Sequence, residues 1–207
     1  VVVFNPHPAA KKSAAYVVNL INKAIMGEGG PPNLITTITK PTVESAQYMM
    51  KHPGIRLVVV TGGPAVVKVA MNSGKRVVAA GPGNPPAVVD ETADIRKAGR
   101  DIVLGAGLDN NIVCVIEKEI VAVNKIADAL KEALVAGGAV ELTPLQTQRL
   151  EKVVLEPDRK SPNKKWVGKD IQLILKEIGL EVGPEKRIAF AEVPADHPFA
   201  TAELLMP

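Results

Sequence analysis

Hydrophobic and polar residues follow one another along the chain in blocks that predict alternating strands and helices. Short apolar runs predict strands at residues 1–4, 34–38, 57–60, 77–80, 119–123 and 187–192, with a further short strand starting at 88–89. Apolar residues at helical spacing predict helices at residues 9–25, 41–50, 64–71, 94–104, 125–135, 144–154 and 171–178. The uninterrupted run at residues 1–4 is typical of a strand buried on both faces. Repeated strand–helix units with short connections predict an α/β fold, in which a parallel sheet carries helices on both faces.

The pattern changes near Asp109, and this change predicts two domains. Residues 1–108 hold the regular strand–helix units, and residues 109–207 hold a second set of strands and helices. A length of 207 residues suits one large domain or two small ones, and it is enough to bury a hydrophobic core.

Composition and charge exclude several classes of protein. Hydrophobic residues make up 46% of the chain and charged residues 23%, which excludes a disordered, collagen-like or coiled-coil protein. A net charge of +3 and an aromatic content of 3% give no signature of nucleic-acid binding. The single cysteine excludes an internal disulfide framework and a cysteine-rich zinc site. No uncharged apolar run reaches the length of about 18 residues that a membrane-spanning helix needs, so we expect no membrane segment.

A first candidate site is the segment Thr61-Gly62-Gly63-Pro64, where a predicted strand ends and a helix begins. Backbone N–H groups at a helix N-terminus attract phosphate, and glycine lets a phosphate approach the backbone closely. Ligands of open parallel sheets bind outside the carboxyl ends of the strands, which is where this segment falls. The segment also fits a tight turn in which glycine only permits the geometry, so both interpretations stay open.

The second candidate is Cys114, which follows Asn110 and Asn111 closely in the sequence. A free cysteine between apolar neighbours is most often a small buried hydrophobe. Its position in a loop between the two predicted domains, beside amide side chains, instead fits a nucleophile. A thiolate nucleophile needs backbone N–H groups or a nearby cation to form at neutral pH.

The three histidines, His7, His52 and His197, each precede a proline and show no metal-ligand spacing. We therefore expect no metal site. His7 lies in a proline-bracketed loop just after the first strand, where it either faces a ligand or only shapes the loop.

Five segments, taken in order, carry a resemblance to a known family. They are Phe4-Asn5-Pro6-His7-Pro8-Ala9-Ala10-Lys11-Lys12, Thr61-Gly62-Gly63, Ala80-Gly81-Pro82-Gly83-Asn84-Pro85-Pro86, Asp109-Asn110-Asn111-Ile112-Val113-Cys114 and His197-Pro198-Phe199-Ala200-Thr201-Ala202-Glu203-Leu204-Leu205-Met206-Pro207. Together they resemble the aldehyde dehydrogenase superfamily over essentially the whole chain. Within it, the chain is similar to the CoA-acylating aldehyde dehydrogenases of ethanolamine and propanediol utilisation.

The resemblance implies a fold and a set of site residues. Residues 1–108 would be the C-terminal part of a Rossmann-like, parallel-sheet domain that binds the dinucleotide or CoA, and residues 109–207 would be the α/β catalytic domain. Cys114 falls on the catalytic thiol. Four segments would contact the cofactor. The loop of Pro6, His7 and Pro8 would lie beside the adenosine, and the turn of Thr61, Gly62 and Gly63 would hold the pyrophosphate. Gly83 would be a further cofactor contact, and Glu203 would bind the nicotinamide ribose. Hydrolytic members carry a glutamate base where this chain has Ala80, and without that base the acyl group is left for the CoA thiol.

The implied reaction oxidises a short-chain aldehyde, acetaldehyde or propionaldehyde, with NAD to acyl-CoA through a thioester on Cys114. The implied partners are the small aldehyde and CoA, with no nucleic acid and no membrane. The full-length protein would be a cytoplasmic homo-oligomer, and the family often implies enclosure in a bacterial microcompartment. The chain itself would be the central portion of a longer enzyme, with impaired turnover alone. Two alternatives stay open: a non-catalytic nucleotide- or CoA-binding fragment, and the aldehyde dehydrogenase half of a bifunctional aldehyde–alcohol dehydrogenase.

Overall fold

The computed structural model describes residues 1–207 and divides them into two compact units, Val1–Gly81 and Pro82–Pro207. The predicted alternation of strands and helices is confirmed, and all eight strands pair in parallel. The α/β fold class is therefore confirmed. The prediction of one parallel sheet is wrong for this chain, because each strand hydrogen-bonds to a single neighbour and the pairing forms four two-stranded sheets.

The first unit contains two parallel strand pairs, each connected through a helix. In chain order its elements are β1 (Val2–Phe4), a short 3-10 helix (Pro8–Ala10), α1 (Lys11–Gly27), β2 (Ile35–Thr37), α2 (Val43–Lys51), β3 (Leu57–Thr61), α3 (Pro64–Met71) and β4 (Arg76–Ala80). β1 pairs with β2, and β3 pairs with β4. Val58 and Val60 of β3 are buried with Met50 of α2 and Ala70 of α3, and these residues form the core of the unit.

The first strand is not buried on both faces, contrary to the prediction from its apolar run. Val2 is 51% exposed and Phe4 is 45% exposed. These two side chains share one face of β1, since side chains alternate along a strand. β1 hydrogen-bonds to β2 alone, and about half of each of these two side chains stays exposed.

Two helices of this unit, α2 and α3, begin at residues that favour a helix N-terminus. The Thr42 hydroxyl accepts the N–H of Ser45 at 3.1 Å, and the Ser45 hydroxyl accepts the N–H of Thr42 at 2.9 Å. This reciprocal cap satisfies two backbone donors that a helix leaves free at its start. Pro64 is the first residue of α3, a position that needs no N–H group and suits the fixed φ of proline.

The second unit holds the other four strands, five α-helices and two short 3-10 helices. Its elements are β5 (Pro86–Val89), α4 (Ile95–Ala106), a 3-10 helix (Leu108–Asn111), β6 (Glu119–Ala122), a 3-10 helix (Asn124–Ile126), α5 (Ala127–Ala136), β7 (Ala139–Glu141), α6 (Pro144–Val154), α7 (Ile171–Lys176), β8 (Ile188–Phe190) and α8 (Pro198–Thr201). β5 pairs with β6, and β7 pairs with β8. No helix of the chain is both long enough and apolar enough to cross a membrane.

Two hydrophobic clusters fill the second unit. One lies between α4, α5 and strands β5, β7 and β8, and includes Val103, Leu130 and Leu134. The other lies around α6 and α7, and includes Val154 and Leu175. Burying such apolar side chains is the main favourable contribution to folding.

The compact units meet at Gly81 and Pro82 rather than near residue 109. Residues 86–106 fold with the chain that follows them, because β5 pairs with β6 and α4 packs against α5. A division between residues 108 and 109 therefore cuts through one compact unit. Whether cofactor binding belongs to residues 1–108 and catalysis to residues 109–207 stays a functional prediction.

Candidate functional site

Cys114 lies in a tight turn between the 3-10 helix Leu108–Asn111 and β6. The N–H of Ile116 donates to the carbonyl of Val113 at 3.1 Å, which places Cys114 inside the turn. Ile116 is 6% exposed and anchors the turn, while the Cys114 side chain is exposed. The thiol is therefore not the small buried hydrophobe that a lone cysteine most often is, and it is open to a reactant.

The segment before the turn has three consecutive residues in the left-handed region. The φ angles are 48° for Asp109, 50° for Asn110 and 56° for Asn111. This conformation costs about 1–2 kcal/mol for each residue with a side chain, and Asp and Asn tolerate it best. The Asn110 amide donates to the carbonyl of Gly168 at 3.1 Å and to the carboxylate of Asp170 at 2.8 Å, which holds the strained segment in place.

Asn111 is the buried centre of this segment, with 4% of its surface exposed. Its amide donates to the carbonyls of Ala106 at 2.8 Å and Glu117 at 3.0 Å. Its side-chain oxygen accepts from the Lys118 ammonium at 2.6 Å. All polar groups of the side chain thus have partners, as a buried amide requires.

Lys118 is the cation nearest to this turn, and its charge is partly withdrawn from water. Burial lowers the pKa of Lys118 below its usual value, and the negative charges of Glu203, Cys114 and Glu117 act against that lowering. Desolvation disfavours the charged ammonium, while neighbouring anions favour it.

Glu203 is held near the site by a contact from the loop before β5. The Asn84 amide donates to the carbonyls of Ala200 and Ala202, both at 3.1 Å. The Oε1 atom of Glu203 and the Oδ1 atom of Asn84 are buried acceptors without a donor in the chain. A buried acceptor without a partner is energetically unfavourable, so these two atoms are suited to accept hydrogen bonds from a ligand or from water.

The backbone N–H of Cys114 donates to no group of the chain. It lies beside its own thiol, so an oxygen developing negative charge on a carbon bonded to that sulfur would be within its reach. This N–H group is therefore a free candidate donor to an oxyanion.

A cleft of about 600 Å³ lies within the second unit. Asn84, Asn111 and Lys118 line it together with Glu117, so the polar groups that support Cys114 also face the cleft. Most other lining residues are apolar, among them Ile102, Leu130, Leu134, Leu150 and Ile174. Cys114 and Glu203 do not line the cleft. The cleft therefore reaches Asn111 and Lys118, which hold the Cys114 turn, but not the thiol itself.

In the first unit, the segment Thr61-Gly62-Gly63 connects the end of β3 to the start of α3, as the sequence predicts. Thr61 ends β3 and is exposed, Gly62 donates its N–H to the Ala80 carbonyl at 3.1 Å, and Gly63 precedes the first residue of α3. No side chain caps α3, and a Cβ on Gly63 would meet no atom within 4 Å. A Cβ on Gly62 would come within 2.8 Å of a methyl group of Val66. Gly62 is thus needed for packing, and Gly63 leaves the uncapped helix start open.

The loop of Pro6, His7 and Pro8 follows β1, and its histidine shapes the local backbone. The His7 Nδ1 atom accepts the N–H of Ala9 at 3.2 Å, which caps the 3-10 helix. His7 and Pro8 are exposed, and Pro6 is half-buried. The Nδ1 atom of His7 therefore shapes the loop, while its Nε2 atom stays available to a ligand.

The other two histidines make the same contact. His52 Nδ1 accepts the N–H of Gly54 at 3.1 Å, and His197 Nδ1 accepts the N–H of Phe199 at 3.1 Å. Each histidine–proline pair therefore uses the imidazole as a backbone cap. The structure contains no group of three or more His, Cys, Asp or Glu side chains placed to hold a metal ion.

The structure brings some predicted site residues together. In the second unit, Lys118 binds the turn that carries Cys114, the negative charges of Glu203 and Cys114 act on the pKa of Lys118, and Asn84 connects the loop that holds Gly83 to the segment before Glu203. In the first unit, the loop of residues 6–8 and the turn of residues 61–63 follow strands of separate sheets. Sequence reasoning missed the roles of Asn84 and Lys118. Both stand inside or next to the segments that carry the family resemblance, and that proximity was the only available signal.

The chain matches the profile of the aldehyde dehydrogenase family over residues 1–177. It is 48% identical over 211 residues to the acetylating acetaldehyde dehydrogenase EutE of Escherichia coli, a match that covers 100% of this chain and 45% of that protein. A similar structure is that of the Rhodopseudomonas palustris propionaldehyde dehydrogenase with bound CoA and an acylated cysteine, which shares 46% sequence identity with this chain. The TM-score is 0.88, and the match covers 99% of this chain and 47% of that one. The propionaldehyde dehydrogenase of the Clostridium phytofermentans fucose utilisation microcompartment is 45% identical with a TM-score of 0.90, covering 99% and 47%.

A bifunctional enzyme is a more distant relative. The aldehyde–alcohol dehydrogenase AdhE of Escherichia coli is 33% identical over 98% of this chain, which corresponds to 23% of that protein. The higher identities to dedicated acylating enzymes favour the resemblance to these over the bifunctional alternative. The chain spans somewhat less than half the length of the dedicated relatives that it matches. The family resemblance is confirmed, and the chain belongs to the aldehyde dehydrogenase family.

Proposed function

We propose that the protein works as a CoA-acylating aldehyde dehydrogenase, which oxidises a short-chain aldehyde with NAD and transfers the acyl group to CoA. The observation that carries this proposal is the exposed Cys114 thiol, on a turn whose backbone is held by hydrogen bonds from the Lys118 ammonium. The relatives named acetylating acetaldehyde dehydrogenase and propionaldehyde dehydrogenase support the same reaction and the same range of small aldehydes.

The Cys114 thiolate is the nucleophile of the proposed reaction. It adds to the carbonyl carbon of the aldehyde, and the carbonyl oxygen becomes the oxyanion of a thiohemiacetal. The free backbone N–H of Cys114 supplies one donor to that oxyanion. Loss of a hydride from the same carbon leaves a thioester on Cys114.

NAD supplies the hydride acceptor when it is bound. In the first unit, the uncapped start of α3 behind Thr61, Gly62 and Gly63 suits the pyrophosphate, because the N–H groups of Ala65 and Val66 are free and Gly63 leaves the space open. The exposed loop of Pro6, His7 and Pro8 is the proposed contact of the adenosine.

In the second unit, Glu203 and Gly83 are the proposed cofactor contacts. The buried, unpartnered Oε1 atom of Glu203 suits the hydroxyl groups of a ribose, which donate hydrogen bonds. Gly83 has open space at its Cβ position, so a ligand can approach its backbone.

The second half of the proposed reaction uses CoA as the acyl acceptor. The CoA thiolate attacks the thioester carbon, the bond from that carbon to the Cys114 sulfur breaks, and acyl-CoA leaves as Cys114 returns to the thiolate. Ala80 stands where hydrolytic relatives carry a glutamate base, and a methyl side chain cannot activate water. The thioester therefore persists until the thiol arrives.

The proposed partners are a small aldehyde and CoA, in a homo-oligomeric full-length protein. The proposed location is the cytoplasm, and a relative from a fucose utilisation microcompartment supports enclosure in a bacterial microcompartment. The division of labour between residues 1–108 and 109–207 is part of the same proposal.

Mass spectrometry after mixing the protein with propionaldehyde and NAD, but without CoA, tests the reaction. The proposal expects a propionyl adduct on the peptide that contains Cys114, and subsequent addition of CoA should remove the adduct and release propionyl-CoA. The variant Cys114→Ala should form no adduct. A protein that binds NAD and CoA but never forms the adduct would instead be the non-catalytic binding fragment.

A further inference from the structure

Lys118 directs its whole ammonium group at the turn that carries Cys114. Its Nζ atom donates to the Asn111 carbonyl at 3.3 Å, to the Asn111 side-chain oxygen at 2.6 Å and to the Val113 carbonyl at 3.2 Å. An ammonium group has three donors and no acceptor. All three donors are therefore committed to Asn111 and Val113, which lie three residues and one residue before Cys114.

These contacts fall where the backbone is least stable by itself. Asn111 ends a run of three left-handed residues, and the Val113 carbonyl is also the acceptor that closes the turn around Cys114. Strained backbone persists only where surrounding groups fix it. Lys118 fixes both ends of the short stretch from Asn111 to Val113, so it sets the direction in which the next residue, Cys114, points.

The charge of Lys118 has a second effect. Glu203, Cys114 and Glu117 are the titratable groups whose charges act on it, in that order of size. Lys118 is only half-buried, so the attraction is partly screened by water. A cation beside a thiol favours the thiolate, which is the reactive form.

Resting on the proposed function, we propose that Lys118 is a positioning residue of the reaction, which holds the Cys114 turn through its three hydrogen bonds and keeps a positive charge beside the sulfur. It transfers no proton, because all three of its hydrogens stay bound to carbonyl and amide oxygens. The Cys114 thiol loses its proton to solvent before it attacks.

The test compares three variants by the rate at which iodoacetamide alkylates Cys114, between about pH 6 and pH 9. Lys118→Met keeps the length of the side chain and removes the charge and the donors, and Lys118→Arg keeps the charge. Lys125→Met is the matched control, since Lys125 is exposed and its side chain makes no hydrogen bond.

Lys118→Met should alkylate about fivefold more slowly at neutral pH, as expected for the loss of one partly exposed neighbouring charge. Lys118→Arg should recover most of the rate at neutral pH, and Lys125→Met should match the wild type throughout. Equal profiles for Lys118→Met and the wild type would overturn the proposal.

The arginine variant keeps the proposal testable even if the methionine variant loses structure. If Lys118→Arg is folded, as judged by an unchanged thermal midpoint, and still alkylates as slowly as Lys118→Met, the retained charge has no role and that part of the proposal fails, whereas the role of the three hydrogen bonds is supported. The acyl adduct experiment separates this outcome from the proposed function. A wild-type protein without an adduct would refute the acyl transfer, whereas the alkylation profiles report only on Lys118 and the thiol.

Discussion

The side-chain amide of Asn84 donates to the carbonyl oxygen of Ala202 at 3.1 Å, across a separation of 118 residues. Ala202 is 3% exposed, so its carbonyl has no access to bulk water as a substitute partner. This hydrogen bond fixes the backbone immediately before Glu203. The loop before β5 therefore takes part in placing a residue that lies near the end of the chain.

Replacement of Asn84 by alanine should release this segment. The carbonyls of Ala200 and Ala202 lose their donor, and a buried carbonyl without a partner costs about 1–3 kcal/mol. We expect Asn84→Ala to lower the free energy of unfolding by about that amount and to weaken NAD binding through Glu203. Urea unfolding and titration with NAD measure the two effects.

The control for Asn84 is Asn124→Ala, because Asn124 is exposed and its side chain makes no hydrogen bond. It should change neither the unfolding midpoint nor the affinity for NAD. Iodoacetamide should still alkylate Cys114 in Asn84→Ala at the wild-type rate, since Asn84 does not contact the Cys114 turn. If Asn84→Ala is as stable as the wild type, the contact with Ala202 contributes nothing to the fold.

The close approach of α4 and α5 depends on the absence of a side chain at Gly99. A Cβ there would stand 2.6 Å from the Cβ of Ala133 and 2.7 Å from its carbonyl carbon. Alanine would gain up to about 1 kcal/mol of helix propensity, but overpacking of a tight core costs about 1–3 kcal/mol. We therefore expect Gly99→Ala to lower the unfolding midpoint in urea.

Gly27→Ala is the matched control for this helix contact. Gly27 is the last residue of α1, and a Cβ there meets no atom within 4 Å. This variant should be as stable as the wild type or slightly more stable. Equal midpoints for both glycine variants would mean that α4 and α5 separate easily.

The sequence predicts α6 without error and misses β7, and the difference is physical. Thr143 and Pro144 mark the start of α6, and the predicted range 144–154 is the observed range Pro144–Val154. Such capping and proline signals are local. β7 has only three residues, Ala139–Glu141, and it becomes a strand by pairing with β8 about 49 residues later.

The candidate site divides in the same way. Cys114, Glu203 and the glycine turn can be identified from sequence segments, because each lies inside a distinctive motif. The contributions of Asn84 and Lys118 depend on which distant or buried atoms they meet. Lys118 reads from the sequence as an ordinary charged residue, since nothing local shows that its three hydrogens are all bound to the Cys114 turn.

The carboxylate of Asp90 should show a measurable pH effect. The Thr92 hydroxyl, and then the Thr92 backbone N–H, hold the pKa of Asp90 below its usual value. A lowered pKa in the folded state contributes stability above the unfolded pKa, and this contribution is lost as the pH falls through the folded value. In Thr92→Val the hydroxyl is gone and the backbone contact stays, so the pKa of Asp90 should rise part of the way to its usual value.

Carboxyl-carbon NMR titration of the wild type and Thr92→Val measures this change directly. Thr39→Val serves as the control, because Thr39 is exposed and its hydroxyl makes no hydrogen bond. An Asp90 titration curve that is the same in wild type and Thr92→Val would show that the hydroxyl does not bind the carboxylate in solution.

Glu203 offers the sharpest separation of cofactor binding from thiol reactivity. Its carboxylate is the largest of the negative influences on Lys118, and its Oε1 atom is a buried acceptor without a partner. Glu203→Gln removes the charge and keeps the shape, so a ribose hydroxyl loses a charged acceptor worth about 1.5–3 kcal/mol. NAD should bind roughly ten- to a hundredfold more weakly, while alkylation of Cys114 should not slow, because Lys118 then faces the thiolate with one competing anion fewer.

Glu181→Gln, a change at an exposed residue without an ion pair, should leave both measurements unchanged. Slower alkylation combined with normal NAD binding would reverse both assignments and make Glu203 a support of the thiol instead of a cofactor contact.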